Sequence, residues 1–440
     1  MTNAMTRQRK RAAYPAYKPS GIEWLGDVPR HWEVRRLKYT VDLVNMKVEG
    51  ADNDLPYTGL EHIESWTGKR IAVNGDSTNE GQANLYRYGD VLFGKLRPYL
   101  AKAHAANADG ICTGELIVLR PRAVEQKFLL YYVLNPDFIS VVDSSTYGAK
   151  MPRANWDFIG HLPTLVPPSD EQRTIAAFLD RETARIDALI EKKRRQIELL
   201  QEKRSALISH AVTKGLNPNA PMKDSGIEWL GEIPAHWQAK RLRFLVSEPL
   251  KYGANESAEL DDPDLPRYIR ITDVDENGRL REDTFKSLPE DVARPYLLKE
   301  GDLLLARSGA TVGKSFYYEP SWGRAAYAGY LIRARFNPAR MMPRFVNYFT
   351  NSQQYWQWLG ASFIQATIQN VSAEKYANLI VPVPPVDEQA EIVAYLDGMW
   401  KRLNDLTRKV GGSIEQLMDY RSALISAAVT GKIDVRKEVS

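Results

Sequence analysis

The chain contains an imperfect tandem repeat. Residues 20–37 read SGIEWLGDVPRHWEVRRL and residues 225–242 read SGIEWLGEIPAHWQAKRL, with twelve of eighteen positions identical at an offset of 205 residues. A second matched pair, offset by 217 residues, runs from VPPSDEQ to RSALIS at 166–209 and from VPPVDEQ to RSALIS at 383–426. Such a repeat predicts two similar structural units, of which the second has a longer middle block.

The trailing segment of each repeat has the pattern of a long amphipathic helix. In the first, the two heptad positions carry Leu179, Ile186, Lys193, Leu200 and Leu207, and Thr183, Ile190, Ile197, Arg204 and Ala211. In the second they carry Leu396, Leu403, Val410, Leu417 and Leu424, and Trp400, Thr407, Ile414, Arg421 and Ala428. Two apolar seams of equal length favour packing against each other. The alternative is two separate helices, each packed on its own domain.

Two glycines interrupt the second helical pattern. Gly411 and Gly412 each weaken a helix by about 1 kcal/mol relative to alanine, which predicts a kink or a break there. The blocks between the motifs, 38–165 and 243–382, mix short β-branched and aromatic runs with turn residues and short helical stretches. Each block predicts a compact α+β domain.

Composition bounds the class of protein. The chain has 440 residues, of which 44% are hydrophobic and 26% are charged, as in ordinary globular proteins. Cys112 is the only cysteine, so an internal disulfide and a thiolate-rich metal site are excluded. No run approaches the roughly 18 apolar residues of a membrane helix, and no apolar run follows the basic N-terminus, which together predict a cytoplasmic protein. The net charge of +4 does not identify a partner.

The constellations that carry catalysis are missing from the sequence. GATVGKS at 309–315 is one residue short of the phosphate-binding loop spacing, and NPDF at 135–138 lacks the second proline of an amino-methyltransferase tetrad. His31 and His236 recur beside tryptophans in the repeated motif, which favours a packing role. The sequence therefore predicts binding chemistry rather than a reaction.

Cationic, hydroxyl and aromatic residues alternate in four segments: GKLRPYLAK at 94–102, TYGAKMPR at 146–153, ARSGATVGK at 306–314 and QATIQN at 365–370. Arginine and lysine bind phosphates or guanine, amides suit adenine, and threonine contacts the thymine methyl. By the 217-residue offset, Gln365, Thr367, Gln369 and Asn370 correspond to Gly148, Lys150, Pro152 and Arg153. The same loop positions with different polar residues suit two domains that bind different targets. Ordinary solvated loops, however, have a similar composition.

In these residues the chain resembles the specificity (HsdS) subunits of type I restriction-modification systems. The resemblance rests on the repeated GIEWLG…HW openings, on GDVLFGKLRPYLAK at 89–102 and GDLLLARSGATVGK at 301–314, and on both PP-x-DEQ…RSALIS segments. It implies an α+β protein with two pseudo-symmetric α/β target-recognition domains, separated by two long antiparallel helices in a coiled-coil-like pair. Each domain is expected to read one half of a split DNA site.

The predicted division of the chain is a basic N-terminal arm (1–19), target-recognition domain 1 (20–165), a central helical spacer (166–215), target-recognition domain 2 (216–382), a C-terminal helical spacer (383–432) and a tail (433–440). The arm is expected to be either an unstructured tail or an arm that contacts DNA. The predicted DNA-binding residues are Lys95, Arg97, Lys102, Lys150, Arg153, Arg270, Asp273, Arg307, Ser308, Thr311, Lys314, Gln365 and Gln369. The predicted partner-binding residues of the helices are Leu179, Ile186, Ile190, Ile197, Leu200, Leu207, Leu396, Leu403, Leu417 and Leu424.

The resemblance also implies the partners. Double-stranded DNA, two methyltransferase subunits and translocase-nuclease restriction subunits are expected, without a membrane. This chain is expected to bind no metal or cofactor itself, whereas its partners use S-adenosylmethionine, ATP and Mg²⁺. Two alternatives remain open: a self-contained DNA methyltransferase or nuclease with an unrecognised active site, and a scaffold whose variable blocks bind protein.

Overall fold

A computed structural model describes residues 12–49, 55–72, 81–148, 150–275, 278, 280–309, 311–363 and 370–438. The predicted basic residues 7–11 and two predicted DNA-binding residues, Gln365 and Gln369, lie outside the described residues. Internal contacts divide the chain into two compact units. Unit 1 combines Met1–Lys193 with Gly412–Ser440, and unit 2 is Arg194–Gly411. Both divisions fall inside the long helices, so each unit contains part of both.

Unit 1 contains twelve short strands and three short helices among its described residues. The strands are β1 (Tyr17–Pro19), β2 (Asp27–Pro29), β3 (Glu33–Arg36), β4 (Val41–Val44), β5 (Lys47–Glu49), β6 (Tyr57–Thr58), β7 (Gln82–Tyr86), β8 (Val91–Gly94), β9 (Ala103–Ala105), β10 (Gly110–Cys112), β11 (Leu116–Pro121) and β12 (Pro163–Val166). The short helices are α1 (Gln126–Val133), α2 (Pro136–Ser144) and α3 (Trp156–Ile159). The long helix α4 (Ser169–Lys214) begins directly after Pro168.

Unit 2 repeats this order. Its strands are β13 (Met222–Asp224), β14 (Glu232–Pro234), β15 (Gln238–Arg241), β16 (Lys251–Tyr252), β17 (Arg267–Ile269), β18 (Leu303–Ala306), β19 (Ser315–Tyr317), β20 (Ala325–Tyr327), β21 (Leu331–Ala334) and β22 (Ile380–Val383). Its short helices are α5 (Glu290–Ala293), α6 (Pro343–Phe349), α7 (Gln353–Ala361) and α8 (Ala373–Ala377), and α9 (Val386–Val429) is the second long helix.

One four-stranded sheet has the same strand order in both units, whereas the second sheet has the order β5-β7-β10-β6 in unit 1 and only the two strands β17-β20 in unit 2. Unit 1 has an antiparallel sheet in the order β4-β11-β8-β9, and unit 2 has one in the order β16-β21-β18-β19. The parallel pair β6–β10 of unit 1 matches the parallel pair β17–β20 of unit 2. The leading motif forms the two-stranded pairs β1–β2 and β13–β14. The predicted α+β class with two related β-rich regions is confirmed.

The repeated His-Trp and Asp-Glu-Gln motifs bind each other within each unit. The Trp32 indole Nε1 donates to Glu171 Oε1 at 3.1 Å, and His31 Nε2 lies 2.8 Å from Glu171 Oε2. In unit 2, Trp237 Nε1 donates to Glu388 Oε2 at 2.9 Å. Each glutamate lies in the first turn of a long helix, so this contact fixes the start of that helix on its domain.

The glutamine that follows each glutamate joins the helix to the domain by a second route. Gln172 Oε1 accepts from the backbone N–H of Glu125, directly before α1, at 2.6 Å. Gln389 Oε1 accepts from the backbone N–H of Met342, directly before α6, at 2.7 Å. Both side chains are buried, with 1% and 0% exposed. The recurrence of PP-x-DEQ is therefore explained by one docking arrangement used twice.

Each unit packs parts of both long helices around its core. Ile186 and Ile190 of α4 share the core of unit 1 with Leu417 and Leu424 of α9. In unit 2, Ile208 of α4 shares the core with residues of α9, among them Ile392, Val393 and Leu396. The early part of one helix thus meets the late part of the other, which is the pairing of antiparallel helices.

Of the kink or break that was predicted at Gly411 and Gly412, the break is wrong. Both glycines lie inside α9, which runs from Val386 to Val429 as one helix. The flanking Val410 and Leu417 are each only 8% exposed. Because burying an aliphatic side chain contributes about 1.5–3 kcal/mol, packing offsets the roughly 1 kcal/mol that each glycine costs. None of the helices in the described residues has a stretch long and apolar enough to cross a membrane.

Candidate nucleic-acid interface

In unit 1, the loop that follows β8 (94–102) pairs with the segment that precedes α3. The backbone N–H of Ala154 donates to the carbonyl of Lys95 at 3.0 Å. Leu96 and Arg153 form an antiparallel bridge. Two segments that the sequence identified separately are therefore one continuous surface element.

The backbone of this loop is strained at two positions. Arg97 and Ala101 have φ angles of 50° and 46° and flank a short 3₁₀ turn, Pro98–Leu100. A left-handed conformation costs a residue with a Cβ roughly 1–2 kcal/mol. The Arg97 N–H donates to the carbonyl of Pro152 at 2.8 Å, and the Trp66 N–H donates to that of Ala101 at 3.0 Å. Such strain concentrates at functional sites, where the surroundings hold one backbone geometry.

Arg153 is fixed by a carboxylate. Its Nε and Nη2 atoms donate to Glu115 at 3.1 Å and 3.0 Å in a two-point contact. This ion pair raises the pKa of Arg153 above its ordinary value. The neighbouring Tyr147 is 63% exposed. The pair orients the guanidinium beside an exposed aromatic ring.

The other predicted cations of unit 1 differ in availability. Lys102 Nζ donates to the carbonyl of Leu60 at 2.6 Å, so this ammonium supports the loop. Lys95 is half-buried, whereas Arg97 and Lys150 are exposed. Arg97 and Lys150 are thus the cations of this loop pair that are most open to a phosphate.

Unit 2 builds the same pair of segments from different residues. The backbone N–H of Val371 donates to the carbonyl of Arg307 at 2.8 Å, and Ser308 forms an antiparallel bridge with Asn370. Asn370 corresponds to Arg153 by the 217-residue offset. The same backbone position therefore carries an arginine in unit 1 and an asparagine in unit 2.

Arg307 and Asn370 present their side chains together. Arg307 Nε donates to Asn370 Oδ1 at 3.4 Å, and the Arg307 guanidinium lies 4.8 Å from the centre of the Tyr252 ring. Tyr252 is 41% exposed. Arginine and asparagine are the two residue types that bind guanine and adenine with two hydrogen bonds each.

The described residues of the GATVGK segment, 309 and 311–314, lie in the connection between the antiparallel strands β18 and β19. Gly309 and Gly313 have φ angles of 79° and 85°, and a Cβ at Gly313 would lie 2.1 Å from Leu359. This context is not the strand-to-helix turn of a phosphate-binding loop. Lys314 is exposed at the end of the hairpin, and Thr311 Oγ1 is buried without a hydrogen-bond partner among the described residues.

Arg270 and Asp273 bind each other. Asp273 is 0% exposed, and its two oxygens accept from Arg270 Nη2 at 2.8 Å and Nε at 3.0 Å. The Arg270 Nη2 atom also donates to the carbonyl of Thr284 at 2.8 Å. Asp273 therefore has no surface to offer to DNA, contrary to its place among the predicted contacts. Its role is to orient Arg270.

The seam residues of the helices point into the units. In unit 1 the side chains buried to 8% exposure or less are Leu179, Ile186, Ile190, Leu417 and Leu424. In unit 2, Leu396 and Leu403 are buried, while Ile197, Leu200 and Leu207 are half-buried. A protein partner would contact other faces of the helices, where the exposed apolar residues include Leu199, Tyr395, Leu406 and Met418.

Three residues of this surface were not predicted from the sequence. Glu115 follows a buried strand pattern and has no cationic neighbour in the sequence, and Tyr252 precedes its arginine by 55 positions. Asn370 lay in a segment that was recognised, but its bridge to the hairpin depends on the tertiary fold. Only the repeat offset, which equates Asn370 with Arg153, signalled its position. Among the described residues, no three His, Cys, Asp or Glu side chains lie together as a metal site would require.

Comparison with known proteins agrees with the duplication of these paired segments in the two units. The family model described as the type I restriction modification DNA specificity domain matches residues 29–199 and 255–416, once in each repeat. The chain belongs to this family. It is a DNA specificity subunit of a type I restriction-modification enzyme, and in these enzymes the specificity subunit is the non-catalytic one.

Two relatives that are specificity subunits match 72% and 93% of this chain. The type I restriction enzyme MjaVIII specificity subunit of Methanocaldococcus jannaschii is 23% identical over 93% of this chain and 94% of its own length. The EcoKI specificity subunit of Escherichia coli strain K12 is 23% identical over 72% of this chain and 68% of its own.

Two solved structures share the fold. A chain from a study of complex assembly and conformational transition of the type I R-M system has a TM-score of 0.71 at 18% identity, covering 91% of this chain and 98% of that one. The HsdS subunit from Thermoanaerobacter tengcongensis has a TM-score of 0.50 at 18% identity, covering 92% and 98%.

Proposed function

We propose that this specificity subunit reads a bipartite, asymmetric DNA site, with one half read by the paired segments of each unit. The proposal rests on one observation: the two units pair the same two backbone segments but present different side chains from them. Lys95 and Arg153 in unit 1 occupy the places of Arg307 and Asn370 in unit 2. Paired segments that have the same backbone arrangement in both units but different polar residues suit the recognition of two different sequences.

The chemistry of the two surfaces supports different contacts. In unit 2, Arg307 and Asn370 suit base edges in the major groove, because each can form two hydrogen bonds to one base. In unit 1, the exposed Arg97 and Lys150 suit phosphates, which position a protein without reading sequence. Arg153, oriented by Glu115, is the base-reading candidate of unit 1.

The long helices are proposed to set the separation of the half-sites and to bind the other subunits. Two readers joined by a stiff spacer gain affinity only when the half-sites match its length. The exposed Leu199, Tyr395, Leu406 and Met418 offer apolar surface for two methyltransferase subunits. Through these, restriction subunits would join. The partners would use S-adenosylmethionine, ATP and Mg²⁺.

Selection from random duplexes tests the proposal. The full chain, assembled with its methyltransferase subunits, is expected to enrich two short conserved blocks separated by a spacer of fixed length. An Arg307→Ala variant should lose preference in one block and keep the other. Enrichment of a single continuous block would contradict two separate readers.

The enzymatic alternative is tested with the chain alone. Incubated with duplex DNA, S-adenosylmethionine and Mg²⁺, the purified subunit is expected to neither methylate nor cleave. Either reaction would establish an active site in this chain.

A further inference from the structure

Unit 2 contains a cavity of about 720 Å³ between its domain and the long helices. Its walls are mixed polar and aromatic, and they include Arg204, Lys314, Asn347, Asn351, Trp356 and Trp400. Sites for small molecules have about 300–1,000 Å³. The cavity therefore has the size and lining of a ligand site.

Arg204 brings a positive charge into this cavity. Its guanidinium lies 3.2 Å from the centre of the Trp400 ring, and it forms no ion pair with any residue that the structure describes. Burial lowers the pKa of Arg204 to about 10. A desolvated charge without a counter-ion is costly, so such a group is expected where an anion binds.

The repeat shows what Arg204 lacks. By the 217-residue offset its counterpart is Arg421, whose Nε donates to Asp187 Oδ1 at 2.9 Å in unit 1. The position equivalent to Asp187 is Asn404 in the second repeat. The carboxylate that neutralises one arginine has therefore been replaced by a neutral amide for the other.

A second replacement adds the aromatic partner. Trp400 stands where the first repeat has Thr183, which donates to the carbonyl of Leu179 at 2.7 Å. Stacking on an indole covers one face of a guanidinium and leaves its N–H edge available for two hydrogen bonds to an anion. The two changes together convert an internal ion pair into an accessible anion-binding group.

The other charges of the cavity are mostly neutralised. Arg344 pairs with Asp397 and Glu319 at 3.0 Å each. Lys314 is exposed and, like Arg204, has no ion pair among the described residues. Arg267 lies 3.8 Å from Glu282, so Arg204 and Lys314 are the cations of this lining that have no ion pair among the described residues.

The uncharged walls suit a planar ring. Trp356 is 42% exposed and offers an indole face. Asn347 of α6 and Asn351, in the turn that follows α6, also line the cavity. Asn347 Oδ1 accepts from Ser315 Oγ at 3.1 Å, and Asn351 Nδ2 donates to the carbonyl of Asn347 at 2.7 Å. The Asn347 amide N–H and the Asn351 amide oxygen are a donor and an acceptor of the kind that bind the edge of a base. An acidic protein side chain would fill only a small part of this space and would not use the aromatic wall.

We propose that this cavity binds a nucleotide, with its phosphate at Arg204 and Lys314 and its base against Trp356 and the two asparagines. The nucleotide comes either from the free pool or from a strand of bound DNA, since both present the same phosphate and ring. The inference goes beyond the proposed reading of a bipartite site and does not depend on it.

Equilibrium dialysis with the full chain tests the inference. The probes are AMP, GMP, adenosine and inorganic phosphate. At least one nucleotide is expected to bind at least tenfold more tightly than adenosine or phosphate. Equal binding of phosphate and nucleotide would overturn the role of the base, and no nucleotide binding would overturn the site.

Variants assign the binding to the cavity. Arg204→Gln and Lys314→Gln are each expected to weaken nucleotide binding at least tenfold; Lys314 is exposed, so its variant keeps the test valid should the first fail to fold. Asn404→Asp, which restores the acidic residue of the other repeat, should weaken binding in the same direction. Arg408→Gln, in an exposed pair with Asp405 on α9, is the matched control and should not change it. Unchanged binding in both cavity variants would overturn the proposal.

Competition distinguishes the two sources. Displacement of the bound nucleotide by duplex DNA supports a nucleotide of the strand, and simultaneous binding supports a free nucleotide. A third result, in which Arg204→Gln weakens binding of the methyltransferase subunit while no nucleotide binds, would replace the proposal with an acidic protein partner. Sequence selection by the wild-type chain is measured separately, so failure of the reading function would be recognised independently.

Discussion

Arg421 donates from Nε to Oδ1 of Asp187 at 2.9 Å, and this contact joins the late part of α9 to the early part of α4 within unit 1. The Arg421 guanidinium also donates to the carbonyl of Trp66 at 2.7 Å. The side chains of Arg421 and Asp187 are 7% and 15% exposed. One arginine thus connects both helices with a loop of the recognition domain.

Replacing Asp187 should destabilise unit 1. In Asp187→Asn the buried guanidinium of Arg421 loses its counter-ion and keeps only neutral acceptors, and Lys69 Nζ loses a carboxylate 2.7 Å away. Together these losses predict a destabilisation of about 2 kcal/mol. Urea denaturation with hydrogen exchange in unit 1 measures it. Asp405→Asn breaks the exposed pair with Arg408 and should cost less than about 0.5 kcal/mol. Equal effects of the two variants would contradict the structural role of the Arg421 pair.

The indole–glutamate contacts give a matched pair of variants. Trp32→Phe removes the donor to Glu171 in unit 1, and Trp237→Phe removes the donor to Glu388 in unit 2. Each should cost about 2 kcal/mol, because a hydrogen bond to a charged acceptor is lost and the ring becomes smaller. Thermal unfolding measures both. A neutral result in both units would show that the contact does not hold the helix start.

His104 predicts a pH dependence of stability. Burial lowers the pKa of His104, whose Nδ1 lies 2.9 Å from the carbonyl oxygen of Gly68. In the unfolded chain the ring takes up a proton near pH 6.5, whereas in the folded chain it does so only at lower pH. The unfolded state therefore binds more protons in this window, and the free energy of unfolding should fall as the pH drops below about 6.5.

The slope should reach at most about 1.4 kcal/mol per pH unit for this one group. His104→Gln is expected to flatten it, and His210→Gln, at an exposed position of α4, should leave it unchanged. Urea denaturation between pH 5 and 7 measures the slopes. A wild-type slope retained in His104→Gln would assign the effect to another group.

Arg307 and Lys150 should differ in how they affect DNA binding. Arg307→Ala is expected to cost about 1–3 kcal/mol on the specific site and to relax one half of it only. Lys150→Ala should weaken specific and random DNA alike and lower the salt slope by about one. Competition binding with the assembled methyltransferase complex at several salt concentrations measures both. Equal losses on specific and random DNA for Arg307→Ala would remove it from the base-reading residues.

The parts of the fold that were predicted from the sequence are those whose contacts occur once in each unit. The His-Trp motif and the Asp-Glu-Gln motif recur because each pair forms the same hydrogen bonds in its own unit. The seams of α4 and α9 follow a regular spacing, and their burial agrees with it. The break at Gly411 and Gly412 was wrongly predicted because intrinsic propensity was weighed without the packing of the neighbouring residues.

Contacts between residues distant in the sequence could not be predicted. Arg421 binds a carbonyl 355 positions away. Arg270, which covers Asp273, is also held by the carbonyl of Thr284, 14 positions along the chain. The pairing of the two loops in each unit likewise depends on the sheet, so the sequence identified the segments without showing that they meet.

Base-resolution mapping of N6-methyladenine in host DNA tests the central claim, which is that this chain determines the DNA target of a type I enzyme. Cells that express the chain with its methyltransferase subunits are compared with cells that lack only this chain. The account predicts a split, asymmetric motif that is methylated in the first cells and unmethylated in the second. Identical methylation in both would contradict it.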